Sequence, residues 1–254
     1  SAIYIQERIG ARCAWGIDLQ QRCNTTLAAI KIAKDMIIAD PDIATAMIVG
    51  GYRNGDLIDY RDPGSSFMFD LAAGAGALIL RRNLGRNRVL GTHIITDGSL
   101  ARDVGVWYGG TEHPIESLPE AELAGLRARG NRSLRVFDVQ HMKARLNDVS
   151  MSNWLACIDK ALARSNATRA DIDFLNVLHF KRSMHTGLLE TLGLKLEQAV
   201  YLENHGHLGQ VDFMISLHEG LRQGRLKEGD LMVAIAAGIG YVWGATVIRW
   251  GPVE

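Results

Sequence analysis

Trp15-Gly-Ile-Asp-Leu-Gln-Gln-Arg-Cys23 runs without a break into Asn24-Thr-Thr-Leu-Ala-Ala-Ile-Lys-Ile-Ala-Lys-Asp-Met-Ile-Ile38. The first part is rich in apolar residues, and Ala11 to Leu19 reads as a strand. The second carries apolar residues at helical spacing from Thr25 to Ile38. Cys23 therefore sits on a strand-to-helix turn. A thiol there lies at the positive end of a helix dipole, which favours thiolate over thiol. A lone cysteine is more often a small buried hydrophobe. The helix-start position and a matching turn later in the chain favour a nucleophile here. Cys13 in the preceding strand and Cys157 in a long helical stretch read as filler.

Strand and helix patterns alternate outward from this point. Ala44 to Gly51 reads as a buried strand, and Ala75 to Leu80 and Val89 to Thr96 as two more. Asp138 to Ala163 has helical periodicity. Phe174 to Leu178 and Val200 to Glu203 read as strands, each followed by a helix, at Ser183 to Leu192 and Val211 to Arg222. Leu231 to Ala237 and Val242 to Trp250 close the chain as strands. Alternation of this kind predicts an α/β protein with helices packed on a mostly parallel sheet.

One unit occurs twice. Asp18 to Cys23 leads into a helix, a strand ending in Gly50-Gly51, and then Ala72-Ala-Gly-Ala-Gly-Ala77-Leu-Ile-Leu. Tyr201 to His207 leads into a helix, a strand ending in Ala236-Ala-Gly238, and then Gly240-Tyr-Val-Trp-Gly-Ala-Thr-Val-Ile248. The repeat predicts two related halves around a pseudo-twofold axis, with both reactive turns facing one cleft. The boundary is expected in the polar stretch Glu116 to Ser133, read as a connecting loop, so that 1–125 carries Cys23 and 126–254 the histidines.

The chain has 254 residues, 47% apolar and 22% charged, with a formal net charge of zero. This is ordinary for a globular protein and offers no basic field for nucleic acid. Three scattered cysteines form no disulfide framework and no zinc pair, so a reducing cytoplasm is the expected compartment. No apolar run reaches the ~18 residues of a membrane span. The start, Ser-Ala-Ile-Tyr-Ile-Gln-Glu-Arg, lacks the pattern of a signal peptide and an initiator Met, and reads as a processed or shortened end.

His179 follows the strand Phe174 to Leu178, at a strand end where α/β sites gather. His205 and His207 flank Gly206 in the turn that matches Cys23's, and His207 is closest in register to Cys23. Two histidines two apart can chelate a metal, but no third ligand accompanies them, so acid/base or oxyanion service is the preferred reading. Gly238-Ile-Gly240 lacks the context of a nucleotide loop. Its glycines allow close packing and bring an N–H toward an oxyanion. Asp212, five residues after His207, reads as a helix first-turn acid, with orientation of a catalytic group the lesser reading. A cysteine with histidines from distant segments is the raw material of covalent acyl chemistry.

Taken together, these segments resemble the thiolase-like condensing enzymes, in particular β-ketoacyl-acyl-carrier-protein synthase III and its acyltransferase relatives. Asp18-Leu-Gln-Gln-Arg-Cys23 is similar to the segment ending in the acyl-accepting cysteine. Leu178-His179 matches the strand end carrying the first catalytic histidine. Asn204-His-Gly-His207 matches a turn that usually reads His-Gly-Asn, and Gly238-Ile-Gly-Tyr-Val-Trp-Gly244 the closing glycine-rich strand. The resemblance implies a layered α-β-α-β-α fold of two pseudo-symmetric halves with mixed sheets, the first half incomplete. It implies Cys23, His179 and His207 as catalytic residues, with the N–H groups of Cys23 and Ile239 as oxyanion hole. His205, Asn204, Gly238 and Gly240 would support them.

It further implies an acyl group taken from acyl-CoA or acyl carrier protein and passed to a malonyl-type thioester or another acceptor. No cofactor or metal is implied, and a homodimer or a heterodimer with a paralogue is expected. A silent partner subunit, an acyl-thioester-binding protein and a hydrolase or carbon–carbon cleaving enzyme are the alternatives. Three departures mark a specialised member. His-Gln-Ala-Asn is here His179-Phe-Lys-Arg182, the turn's usual Asn is His207, and Ala72-Ala73 replaces the opening Gly-Asp of Gly-Asp-Gly-Ala-Gly.

Overall fold

The computed structural model describes residues 1–128 and 133–253. Residues 129–132, within the expected boundary stretch, lie outside the described residues. In chain order the elements are α1 (Ala2–Arg8), α2 (Thr25–Ala39), β1 (Thr45–Tyr52), β2 (Gly74–Arg81), β3 (Arg86–Thr96), β4 (Val104–Gly105), α3 (Glu120–Ala128), β5 (Arg135–Val136), α4 (Val139–Ala163), β6 (Phe174–Val177), α5 (Arg182–Leu192), α6 (Asp212–Arg222), β7 (Leu231–Gly238) and β8 (Val242–Pro252).

Two sheets organise the chain. The larger has the order β3-β8-β7-β6, and the smaller is the hairpin-like pair β1-β2. Among the described strands only β6 and β7 run parallel; β7–β8, β8–β3, β1–β2 and the short pair β4–β5 are antiparallel. The sheet is therefore mixed, not mostly parallel. Glycine-ended β7 turns straight back into β8 across Ile239-Gly-Tyr241, and so tight a connection pairs strands antiparallel.

Side-chain burial shows the layers. One face of the larger sheet packs Leu175, Val233 and Trp243 against Trp154 and Ile158 of α4 and Leu188 of α5. The opposite face packs Phe174, Met232 and Ala234 against Leu27 and Ile30 of α2 and Phe213 and Met214 of α6. Ile48, Leu78 and Leu80 of the smaller sheet close over that second core from beyond. Helix α2 is thus wrapped by both sheets, as its buried apolar stripe Leu27, Ile30, Ile37 requires. Among the described residues the layers run α-β-α-β. Met47, Val49 and Ile79 on the outer face of β1–β2 remain exposed. The stretch expected as a buried strand therefore buries only its alternate residues.

Three other expectations differ. Ala11 to Leu19 has no strand partner among the described residues, and Trp15, Ile17 and Leu19 are exposed. Val200 to Glu203 is not a strand; Ala199 makes only a single bridge to Leu175. Its apolar residues Val200 and Leu202 are buried by packing alone. The polar linker contains helix α3, whose first turn holds Glu120 and Glu122 as a helix start favours. Strand β3 pairs with β8 near the C-terminus, so the larger sheet joins segments far apart in the chain.

Candidate active site

The turn into α2 is fastened across its own base. Arg22 takes φ +51°. The Gln21 N–H donates to Thr25 Oγ1 at 2.8 Å, and the Thr25 hydroxyl donates to Arg22 O at 2.6 Å. Beneath the turn comes Gly238 at the end of β7. A Cβ there would lie 3.0 Å from Cys23 N and 2.9 Å from Gln21 O, closer than a side chain tolerates. This close approach places Ile239, the next residue, beside the cysteine turn. The first turns around α2 and α6 are pinned together as well, since the Thr26 hydroxyl donates to Gln210 O at 2.7 Å.

That pinning brings the second reactive turn onto the first. His207 Nε2 lies 3.1 Å from Cys23 Sγ, and His207 Nδ1 lies 2.5 Å from Asp212 Oδ2. Asp212 is fully buried. Its Oδ1 accepts the Leu208 N–H at 2.7 Å, and its Oδ2 also accepts the His179 N–H at 2.7 Å. A buried carboxylate survives only when its oxygens are satisfied in this way. Burial works against a charged His207 ring. The negative charge of Cys23 and the hydrogen bond to Asp212 override it and hold the imidazole's pKa well above its ordinary value.

His179 shares Asp212 through its backbone but meets a different acid through its ring. His179 Nε2 lies 3.2 Å from Asp70 Oδ2. The other ring nitrogen, Nδ1, is buried with no hydrogen-bond partner among the described residues. Burial opposes ionisation of Asp70, but the hydrogen bond and charge of His179, with His207 beyond it, keep its pKa below the usual carboxylate value. The Tyr201 ring packs 5.1 Å from that of His179, and His185 packs edge-on to Tyr201 at 5.3 Å. Burial first, then Arg182 and His179, press His185 down to about 4, so it stays neutral. Tyr52 packs 6.0 Å from His207. Burial and the nearby Cys23 push its phenol pKa up.

Cys23, His179, His207 and Gly238 are thus gathered in one place, while the Ile239 side chain packs toward Met68, Val104 and Met142. Asn204 and His205 stand apart: Asn204 is exposed, and the His205 ring turns toward Glu219, 4.0 Å away on α6. Gly206 between the two histidines takes φ +68°, and a Cβ there would meet Asp70 O at 2.6 Å. Cys13 is exposed and Cys157 is buried in α4, its thiol pushed up to about 12 by burial. A groove of about 1580 Å³ lies at the far end of α2, between Lys34, Arg82 and Trp250, away from Cys23. Among the described residues no group of His, Cys, Asp or Glu is arranged to hold a metal ion, and no helix is long and apolar enough to cross a membrane.

The sequence does not point to Asp70 or His185, and its preferred reading of Asp212, a helix first-turn acid, leaves out the hydrogen bond to His207. The signal for Asp212 was a single carboxylate inside Val211-Asp-Phe-Met-Ile215, where burial of the neighbours buries the acid too. Asp70 had no such signal, because it follows an irregular loop.

Comparison with known proteins agrees with this geometry. Residues 17–98 match the family model of 3-oxoacyl-[acyl-carrier-protein] synthase III, and residues 162–250 match the model of that family's C-terminal part. The first stretch holds Cys23 and Asp70, and the second holds His179, His207 and Asp212. The chain belongs to the 3-oxoacyl-[acyl-carrier-protein] synthase III family. The β-ketoacyl-[acyl-carrier-protein] synthase III of Microcystis aeruginosa is 27% identical over 99% of this chain and 72% of its own length. The crystal structure of the synthase III of Thermus thermophilus superposes with a TM-score of 0.79 at 21% identity, over 99% of this chain and 73% of that one. The synthase III of Pseudomonas aeruginosa gives 0.77 at 20% identity, covering all of this chain and 72% of its own. The fold is accordingly thiolase-like.

Proposed function

We propose that this chain is an acyltransferase of the synthase III type, with Cys23 as the acyl-accepting nucleophile. The supporting observation is the line of three groups: Cys23 Sγ, His207 Nε2 at 3.1 Å, and Asp212 behind Nδ1 at 2.5 Å. Asp212 holds the imidazole so that Nε2 faces sulfur, the arrangement that activates a nucleophile and later returns its proton.

In this reading His207 holds the Cys23 proton while the sulfur attacks the carbonyl of an acyl-CoA or acyl-carrier-protein thioester. The tetrahedral oxyanion is held by the Cys23 and Ile239 N–H groups, donors of a kind worth ~3 to 4 kcal/mol each. The leaving thiolate recovers the proton from His207, and the acyl group stays on Cys23. It then passes to a second substrate at the side of the site formed by His179. No cofactor is required by this sequence of steps. A homodimer, or a heterodimer with a paralogue, completes the reading, and the exposed Trp15, Ile17 and Leu19 supply apolar surface for it.

Intact mass after incubation with a panel of acyl-CoA thioesters tests the assignment. The wild-type chain should gain one acyl mass and Cys23→Ala none. An identical adduct on the alanine variant would remove Cys23 from the role.

A further inference from the structure

The loading step leaves Asp70 unused. Its carboxylate faces His179 Nε2 at 3.2 Å, and 44% of its side chain is exposed, against 8% for His179 and 14% for His207. Asp70 is thus the open end of an otherwise buried cluster, and an acceptor entering on this side passes it. Its place is fixed by the backbone. The His207 N–H donates to Asp70 O at 2.9 Å, and the Ala72 N–H donates to His207 O at 2.9 Å.

Decarboxylative condensation makes two demands on such a place. The malonyl-type acceptor brings a carboxylate of its own, and its thioester carbonyl needs imidazole N–H donors as enolate charge develops. Asp70 opposes both. It sets like charge against like, and it already occupies the Nε2 of His179. A nucleophile carrying a proton on nitrogen or oxygen meets the reverse situation, because an ionised carboxylate only accepts hydrogen bonds.

We infer that Asp70 makes the acceptor site reject malonyl-type carboxylates, and that the acyl group on Cys23 passes to an amine or a hydroxyl. This rests on the acyl-enzyme reading above. The acceptor's lone pair attacks the thioester carbon and forms a C–N or C–O bond, while its proton goes to His207 Nε2. The C–S bond breaks with its electron pair returning to Cys23 Sγ, which takes the proton back from His207. The products are an amide or ester and the free thiol, with no change of oxidation state.

The test uses the full chain, loaded with an acyl-CoA and checked for its adduct by intact mass. The adduct is then offered malonyl-CoA, a panel of primary amines or a panel of primary alcohols, and its clearance is timed. The best amine or alcohol should clear the wild-type adduct at least about tenfold faster than malonyl-CoA, as expected for a like-charge penalty of this kind. In Asp70→Asn and Asp70→Ser the ratio should move toward malonyl-CoA by about tenfold or more, with carbon dioxide released. The ratio is read on whatever adduct each variant forms, so slow loading does not blur it. Malonyl-CoA matching the best amine or alcohol in the wild type overturns the inference. So does an unchanged ratio in both variants, or release of free acid alone with every acceptor. No adduct on the wild type removes the acyl-enzyme reading and this inference with it; an adduct with the wrong order of acceptors removes the inference only.

Discussion

The two imidazoles of the site are held by carboxylates in opposite senses. His207 has its acid on Nδ1 and presents Nε2 to sulfur. His179 has its acid on Nε2 and leaves Nδ1 buried without a partner among the described residues. The first arrangement aims a ring at a reacting atom and fixes its tautomer. The second occupies the ring's outward nitrogen with a carboxylate that is 44% exposed. Histidine with aspartate is therefore not one device. In the proposed reaction, the ring nitrogen the acid takes separates a pair that moves a proton from one that screens an acceptor.

Replacing each histidine separately gives the sharpest test of this contrast. His207→Ala should slow acyl loading by roughly 10²–10⁴-fold, the usual range for a lost acid/base group. His179→Ala should depress chiefly the transfer step, resolved by single-turnover measurement of each half-reaction. Equal losses in loading would break the distinction. Asp212→Asn should follow with a loading defect on the order of 10²-fold, since the tautomer is no longer enforced. Asp212→Ala should also cost about 1–3 kcal/mol in urea titrations, because the Leu208 and His179 N–H groups lose their acceptor.

Stability against pH gives a smaller signal. The folded-state pKa of His207 is raised, so its contribution is complete below ~6.5 and fades as pH climbs through the raised value. Tm should accordingly fall on the alkaline side. The fall should flatten in Cys23→Ala, which removes the strongest influence raising that pKa. Profiles of equal slope would show that sulfur is not the ring's charge partner. The smallest effect is expected at Tyr201→Leu. It strips an aromatic neighbour worth about 0.5–1.5 kcal/mol from His179, so transfer should slow a few-fold. A comparable slowing of loading would mean that the two rings are not separately supported.

Much of this was readable in the chain itself. Cys23 at a helix start, His179 at a strand end and His207 in a matching turn all follow from local pattern. So do α2, α4, α5, α6, β7 and β8, whose periodicities agree with their burial. Two expected strands that do not form share one cause. Ala11 to Leu19 and Val200 to Glu203 have strand-like composition, but a strand exists only where a neighbour offers hydrogen bonds. Asp70 escaped notice because its role depends on the bridge between Leu71 and His207, which joins segments far apart in the chain. Asp212 was visible, yet its burial was decided by the packing of Phe213 and Met214 against the larger sheet.

That short clasp between Leu71 and His207 has an evolutionary reading. The irregular loop from Tyr52 can change in sequence while its last residue stays in register with His207. On the inference drawn for Asp70, single replacements at that one position would retune the acceptor range. A scaffold built this way invites divergence into new acylation chemistry without rebuilding its engine.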